Sequence, residues 1–375
     1  MQKRIKVMSV FGTRPEASKM CPLVRVLSEA PDIESLVCVT AQHRNMLDSV
    51  LETFGIQPDF DLNIMKKGQT LTGVTCAVLE GLERTFEAVR PDLVLVHGDT
   101  TTSFAGALAA FYQKIPVAHV EAGLRTYDRY SPFPEEMNRN LTGRLASYHF
   151  APTENNRQNL LREGITAPVF VTGNTGLDAF RYTIKENYSF QNPILQQILP
   201  SREKIIVLTA HRRENQVGGI ASICRAAKRL TERRDDIRII YPVHLSPAVR
   251  NTVYPILEGH ERIHLTDPLD LEDMHNLLAA SYFVMTDSGG LQEEAPALGI
   301  PVLVLRTETE RPEAAEAGTV KVIGTEEQTV LEEAETLLSD FGIYRRMSSS
   351  ANPYGDGKAS EKILEAIRSF ASELV

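Results

Sequence analysis

Two carboxylates and a histidine follow neighbouring β-like runs, in the strings HGDTTT and VEAGLRT. They are His97, Asp99 and Glu121. An aspartate ahead of three threonines is also a common helix cap, so Asp99 alone is ambiguous. Two carboxylates at the ends of adjacent strands are harder to explain by capping. Such a pair is typical of general acid–base chemistry.

A third acid lies in SPFPEEMNR, where two prolines precede a predicted helix. Glu135 and Arg139 are four residues apart on that helix and therefore share a face. They could form a solvated ion pair or belong to a catalytic set. The spacing alone favours neither interpretation.

Groups suited to anions follow other predicted strands. FGTRPEA places Arg14 at a helix start, TAHRREN places His211 and Arg212 directly after a strand, and YPVH does the same for His244. Helix-start amides and cationic side chains favour phosphate or carboxylate. An ordinary helix start explains Arg14 equally well, and a single histidine of this kind is more often structural.

The stronger anion signal is TDSGGLQEEAP. Ser288 is the predicted N-cap of a helix that exposes the amides of Gly289 and Gly290, an arrangement that favours a phosphate. Glu294 lies one turn into the same helix, where it could reach a ribose diol, and TERPEA adds Arg311. Buried helices also begin with SGG, so the motif by itself does not prove a binding site.

These side chains can lie close together only in a fold that places the ends of several strands at one edge of a sheet. Short β-branched runs alternate with helix-period segments, first from KVMSV to PVAHVEA and again from KIIVLTA to PVLVL. This order predicts an α/β fold with two Rossmann-like domains, each a parallel sheet with helices on both faces. Ligands of such sheets bind at the carboxyl ends of the strands. The predicted limits are 1–173, 174–355 and, for a last helix, 356–375.

Composition excludes several classes of function. The net charge is −9, and Lys and Arg are scattered along the chain, which disfavours nucleic acid and anionic membranes. Four cysteines form no CxxC pair, so we expect free thiols and a cytoplasmic protein. The sequence has no GxGxxG fingerprint, no HExxH and no Cys/His cluster, and we expect neither a cofactor nor a metal.

Many of these strings resemble the non-hydrolysing UDP-N-acetylglucosamine 2-epimerases of bacteria. The shared strings are FGTRPEA, TAQHR, DLNIM, VHGDTTT, HVEAGLRT, SPFPEEMNR, TGNT, TAHRREN, YPVH, TDSGGLQEEAP, TERPEA and NPYGDG. They occur in order over nearly the whole chain. The resemblance implies the GT-B arrangement, in which two Rossmann-like domains face each other across a cleft and the last helix returns to the first domain. It also implies a homodimer and a product, UDP-N-acetylmannosamine, that feeds surface polysaccharide.

The chemistry of this family explains the need for such groups. The hydrogen on carbon 2 of the sugar becomes acidic as the bond from carbon 1 to UDP breaks, so a carboxylate can remove it and leave a glycal. The resemblance implies that Asp99, Glu121 and Glu135 are the acid–base residues, that Arg139 orients Glu135, and that His211 stabilises the leaving pyrophosphate. The residues expected to bind UDP are Arg14, Lys19, Ser288, Gly289, Gly290, Glu294 and Arg311.

Some bacterial members are activated by their own substrate, bound beside the catalytic site. The positions that resemble this regulatory pocket are Gln42, His43, Gln69, Glu136, Arg212 and His244. Asn45 departs from the family pattern, in which Gln or Glu is common, so one activator contact is in question.

Two other interpretations remain open. A hydrolysing relative would release free N-acetylmannosamine, but it tends to carry an appended sugar kinase domain, which we do not expect here. A GT-B glycosyltransferase or a catalytically silent UDP-sugar-binding protein would share the scaffold. Binding of UDP alone does not require three carboxylates, and this favours the epimerase.

Overall fold

The structure is a computed structural model that describes residues 4–41, 44–66, 68–199, 202–309 and 311–374. The chain divides into two compact units. Unit 1 comprises Met1–Tyr182 and Tyr354–Val375, and unit 2 comprises Thr183–Pro353.

Each unit is built on one parallel sheet. The strands of unit 1 are β1 (Ile5–Phe11), β2 (Ile33–Val39), β3 (Phe60–Asp61), β4 (Leu93–His97), β5 (Val117–Val120), β6 (Tyr148–Ala151) and β7 (Val169–Val171). The strands of unit 2 are β8 (Lys204–Thr209), β9 (Ile237–Pro242), β10 (Ile263–Thr266), β11 (Phe283–Thr286), β12 (Val302–Val304) and β13 (Val320–Val322). Among the described residues, the strand orders are β3-β2-β1-β4-β5-β6-β7 and β10-β9-β8-β11-β12-β13.

Helices connect most of these strands. In chain order they are α1 (Arg14–Glu29), α2 (Arg44–Thr53), α3 (Leu71–Val89), α4 (Thr101–Tyr112), α5 (Glu135–Leu145), α6 (Glu154–Arg162), α7 (Thr175–Asp178), α8 (Phe180–Thr183), α9 (Pro193–Ile198), α10 (Gly219–Arg233), α11 (Pro247–Leu257), α12 (Leu271–Ala279), α13 (Gly289–Ala297), α14 (Pro312–Glu316), α15 (Glu327–Ser339), α16 (Phe341–Ser349) and α17 (Ala359–Ser369). Helix α17 packs against α1 within unit 1. None of the helices in the described ranges is both long and apolar enough to cross a membrane.

The central strands are buried along most of their length. All five residues of β4 and five of the six residues of β8 are buried. Such continuous apolar strands are expected where helices cover both faces of a parallel sheet. The predicted α/β fold with two Rossmann-like domains is confirmed.

Each sheet has a point where its strand order reverses. In unit 1, β1 lies between β2 and β4, so the chain leaves β1 toward one edge and returns at β4 to build the other. In unit 2, β8 lies in the same way between β9 and β11. Crevices at such switch points are the usual ligand sites of open α/β sheets. Segments 12–14 and 98–100 meet at the first crevice, and segments 210–212 and 287–289 meet at the second.

Candidate active site

Asp99 lies between β4 and α4 and does not cap the helix. Thr100 is the N-cap, and its hydroxyl oxygen accepts a hydrogen bond from the Ser103 amide at 3.0 Å. The capping interpretation of Asp99 is therefore excluded, and its carboxylate is available for another role.

An arginine from α5 holds the Asp99 carboxylate. Arg139 Nη2 lies 2.5 Å from Asp99 Oδ2, and the Asn138 side-chain amide donates to the Asp99 carbonyl oxygen at 3.0 Å. Burial raises the pKa of Asp99, Arg139 opposes the rise, and the negative charges of Glu121 and Glu135 add to it. A carboxyl group with a raised pKa is suited to exchanging a proton near neutral pH.

Glu121, the second predicted acid, sits directly after β5 with its backbone in the left-handed region, at φ 61°. A non-glycine residue rarely adopts this conformation without a compensating interaction. Its carboxylate forms an ion pair with the Lys19 ammonium from α1 and lies 4.0 Å from His97 Nε2. Burial lowers the pKa of His97 to about 4, so the ring is neutral beside the ion pair at neutral pH.

Glu135, the third predicted acid, is the first residue of α5 and is half-buried. We predicted that Arg139 orients it, but the Arg139 guanidinium instead contacts Asp99 and, at 3.3 Å, Glu136. The predicted pairing is therefore wrong for this structure. Helical spacing places Glu135 and Arg139 on one face, yet the long Arg139 side chain extends toward β4.

Glu136, predicted to bind an activator, is buried and accepts hydrogen bonds within unit 1. Its oxygens accept from the amides of Thr126 and Tyr127 at 3.1 and 3.0 Å, besides contacting Arg139. The loop before α5 is thereby tied to the arginine that holds Asp99.

At the switch point of unit 2, a buried aspartate organises the loop after β8. Asp287 Oδ2 accepts hydrogen bonds from the amides of His211 and Arg212, at 2.8 and 2.9 Å, and from the Asn215 side chain at 3.0 Å. Its other oxygen lies 3.4 Å from His211 Nδ1. Burial lowers the pKa of His211, Asp287 opposes this, and the His244 ring stacks on His211 at 5.2 Å.

The start of α13 carries the predicted phosphate motif. Ser288 is the N-cap residue, but its side chain makes no capping hydrogen bond. Arg311 lies over Gly289, where an added Cβ would come within 2.6 Å of Nη1, and its Nε pairs with Glu293. A side chain at position 289 would displace the Arg311 guanidinium, which therefore shares this end of α13 with the first backbone amides of the helix.

The other predicted residues have separate surroundings. Arg14 begins α1 and is half-buried. Glu294 Oε1 would lie 3.5 Å from a Cβ added at Gly290. Gln69 donates to the Ile64 carbonyl at 2.7 Å and accepts from the Lys66 amide at 3.0 Å within its own loop. The predicted activator residues Gln42 and His43 lie outside the described residues.

Comparison with known proteins supports one interpretation of this arrangement. The model of the UDP-N-acetylglucosamine 2-epimerase family matches residues 25–368. The UDP-N-acetylglucosamine 2-epimerase of Bacillus subtilis (strain 168) is 54% identical over 366 residues, which cover 97% of this chain and 95% of that protein. The enzyme of Escherichia coli (strain K12) is 52% identical, with 97% of this chain and 98% of that protein covered. This chain belongs to the UDP-N-acetylglucosamine 2-epimerase family.

Solved structures with the same fold include those of UDP-N-acetylglucosamine 2-epimerases. One from Neisseria meningitidis, bound to UDP-GlcNAc, is 46% identical with a TM-score of 0.89, over 97% of this chain and 100% of that one. A Staphylococcus aureus structure determined with UDP is 50% identical with a TM-score of 0.90, over 99% and 98% of the two chains. The predicted family is confirmed.

One position in this epimerase-family chain, Asp287, was not singled out from the sequence, and the partner of another, Lys19, was not predicted. Asp287 directly precedes Ser288 in the TDSGG motif, which we interpreted from its serine and glycines. Its position directly after an apolar strand is the sequence feature that could have indicated a functional role. Lys19 was assigned to UDP, whereas the structure pairs it with Glu121. Both residues act on charged partners brought from other parts of the sequence, and local spacing does not reveal such partners.

Proposed function

We propose that this chain interconverts UDP-N-acetylglucosamine and UDP-N-acetylmannosamine by eliminating UDP and adding it back to a 2-acetamidoglucal. One observation carries the proposal. In a chain of this family, Asp99 and Glu121 follow the paired strands β4 and β5, and each carboxylate is held in an ion pair, with Arg139 and Lys19 respectively. Proton exchange on a sugar carbon needs such carboxyl groups, whereas binding of UDP does not.

The elimination conserves atoms and electrons. A carboxylate takes the proton from carbon 2, the electrons of that C–H bond form the double bond between carbons 1 and 2, and the electrons of the C1–O bond leave with UDP. Protonation of the glycal on the opposite face, followed by attack of UDP at carbon 1, gives the epimer with no net redox change. Two proton-transfer groups and a stabilised diphosphate are sufficient for this sequence.

We assign proton transfer to Asp99, Glu121 and Glu135. Lys19 stabilises the ionised form of Glu121, since an ammonium beside a carboxylate favours its charge. Arg139 holds Asp99 in place while keeping its pKa from rising further.

We assign the diphosphate to the donors around His211 and the start of α13. His211 has a lowered pKa, so it is neutral at neutral pH and can donate one hydrogen bond to the leaving oxygen. The remaining assigned contacts to UDP come from Arg14, Ser288, Gly289, Gly290, Glu294 and Arg311.

Incubation of the purified chain with UDP-N-acetylglucosamine, followed by proton NMR, tests this function. We expect UDP-N-acetylmannosamine to accumulate to a constant ratio from either direction. Release of free N-acetylmannosamine with UDP would indicate a hydrolase. Binding without conversion, or transfer of the sugar to an acceptor, would reject the epimerase proposal.

We further propose a cytoplasmic homodimer that supplies a precursor of surface polysaccharide and is activated by its own substrate. The stacking of His244 on His211 supports the activation proposal, because a ligand that contacts His244 would also act on His211. We expect a sigmoidal dependence of rate on substrate that becomes hyperbolic in His244→Ala. A hyperbolic dependence in the parent chain would reject activation.

A further inference from the structure

Glu16 is a buried carboxyl group that lies outside the assigned catalytic and binding sets. It belongs to the first turn of α1, is 1% exposed, and uses its two oxygens for two different segments. Oε2 accepts hydrogen bonds from the amides of Gly12 and Thr13 at 3.0 and 2.8 Å. Oε1 accepts one from the Thr100 hydroxyl at 2.7 Å and lies 3.0 Å from the Ser103 hydroxyl.

The two segments that Glu16 joins carry assigned functional residues. Gly12 and Thr13 directly precede Arg14, and Thr100 directly follows Asp99. Their strands, β1 and β4, are hydrogen-bonded neighbours at the switch point of unit 1. The carboxyl group of Glu16 therefore fixes the distance between the segment of Arg14 and the segment of Asp99.

Packing around this bridge leaves little space for adjustment. A Cβ added at Gly12 would lie 1.8 Å from Thr40 Oγ1, and the Thr40 hydroxyl is 3.0 Å from that of Thr102 on α4. The segment before α1 is thus confined on one side by threonine hydroxyls and on the other by Glu16. Loss of the Glu16 hydrogen bonds would leave the segment before α1 unrestrained on the side that Glu16 now holds.

We propose that Glu16 is a positioning residue for epimerisation, which holds Arg14 and Asp99 at the separation that the reaction requires. The inference rests on the proposed function, because only that function gives these two residues a common substrate. Glu16 itself is buried beneath the loops and acts through them. A displacement of about 1 Å at a reacting group can cost roughly 10²-fold in rate.

The hydrogen bonds indicate that the length of the side chain matters more than its charge. The single Ser103 proton also has the His97 carbonyl oxygen as a close acceptor. A glutamine at position 16 could donate from its amide nitrogen to the Ser103 hydroxyl, while its oxygen accepts from the two amides. The Ser103 proton then goes to His97, and the Thr100 proton goes to Ser103 Oγ, 3.0 Å away. Burial raises the pKa of Glu16, and the hydrogen bonds from Thr100, Gly12, Thr13 and Ser103 oppose the rise.

Three substitutions separate length from charge. Glu16→Gln keeps the span, and we expect kcat within about tenfold of the parent chain. Glu16→Asp keeps the charge but is one methylene too short, and Glu16→Ala removes the bridge, so we expect both to lower kcat by roughly 10²-fold. KM should rise by no more than about tenfold, because Arg14 is displaced while the assigned UDP contacts in unit 2 are unaltered.

A matched control separates positioning from loss of folding. Val24→Ala shortens another buried side chain of α1, eight positions after Glu16, and it should lower the midpoint of thermal unfolding while kcat per folded molecule stays normal. Normal kcat per folded molecule in Glu16→Asp and Glu16→Ala would overturn the inference. Glu16→Gln as impaired as Glu16→Asp would also overturn it, because charge would then be decisive.

Failure of this inference can be distinguished from failure of the proposed function. The parent chain is first assayed for conversion of UDP-N-acetylglucosamine to its epimer. No conversion in the parent rejects the function, and with it the role of Glu16. Conversion in the parent together with unimpaired Glu16 variants rejects the positioning role alone.

Discussion

The two switch points have the same sheet geometry but opposite chemical character. At the one in unit 1, carboxylates face cations in ion pairs, Asp99 with Arg139 and Glu121 with Lys19. At the one in unit 2, a buried carboxylate, Asp287, faces inward and fixes backbone amides and a histidine. The first arrangement places ionisable groups in ion pairs at the strand ends, and the second fixes the loop to which we assign the diphosphate. The same sheet geometry thus holds two different sets of side chains, for which we propose two different kinds of chemistry.

The largest expected effects test the proton-transfer role of unit 1. Asp99→Asn, Glu121→Gln and Glu135→Gln should each lower turnover by roughly 10²-fold or more while the chain remains folded, because an amide cannot exchange the proton. Steady-state kinetics and circular dichroism provide the measurements. The exposed Glu87 of α3 supplies a control, since Glu87→Gln should leave turnover unchanged. Near-normal turnover in all three variants would contradict the proton-transfer role that we assign to the switch point of unit 1.

A smaller effect is expected from the buried aspartate of unit 2. Asp287→Asn keeps an oxygen for the two amides but removes the charge beside His211, so kcat should fall by about tenfold. Because Asp287 opposes the lowering of the His211 pKa, the variant should show a still lower pKa for that histidine. NMR titration of the His211 ring measures the shift. An unchanged or raised pKa would show that Asp287 does not tune the histidine.

The smallest expected effect concerns binding at α13. In Gly289→Ala the new methyl group would displace the Arg311 guanidinium, so the affinity for UDP should weaken by about threefold with little change in kcat. Calorimetric titration with UDP measures this loss. Gly290→Ala is the matched comparison, since the nearest side-chain atom among the described residues, Glu294 Oε1, would lie 3.5 Å from the added Cβ, and we expect a smaller loss. Equal losses in the two variants would argue against Arg311 as the cause.

Much of this arrangement was predictable because parallel strands deliver their following loops to one edge. Asp99 and Glu121 lie within two residues of the ends of the adjacent apolar strands β4 and β5, so their proximity in unit 1 required only the strand order, and His211 lies in the same way two residues after β8 in unit 2. The side chains that contact these residues were harder to predict from the sequence. Arg139 contacts a carboxylate 40 positions away, although helical spacing suggested one four positions away. Glu16 was not singled out from the sequence, and only the pairing of β1 with β4 reveals that it bridges two loops.

The most direct test of the account is the origin of the hydrogen on carbon 2 of the product. The chain is incubated with UDP-N-acetylglucosamine in heavy water, and carbon 2 of the epimer is observed by NMR. Removal of the original proton by a carboxylate, followed by return of a solvent-derived one, predicts deuterium at carbon 2 of UDP-N-acetylmannosamine. An epimer that retains its original hydrogen at that carbon would contradict the elimination mechanism and the roles assigned to Asp99, Glu121 and Glu135.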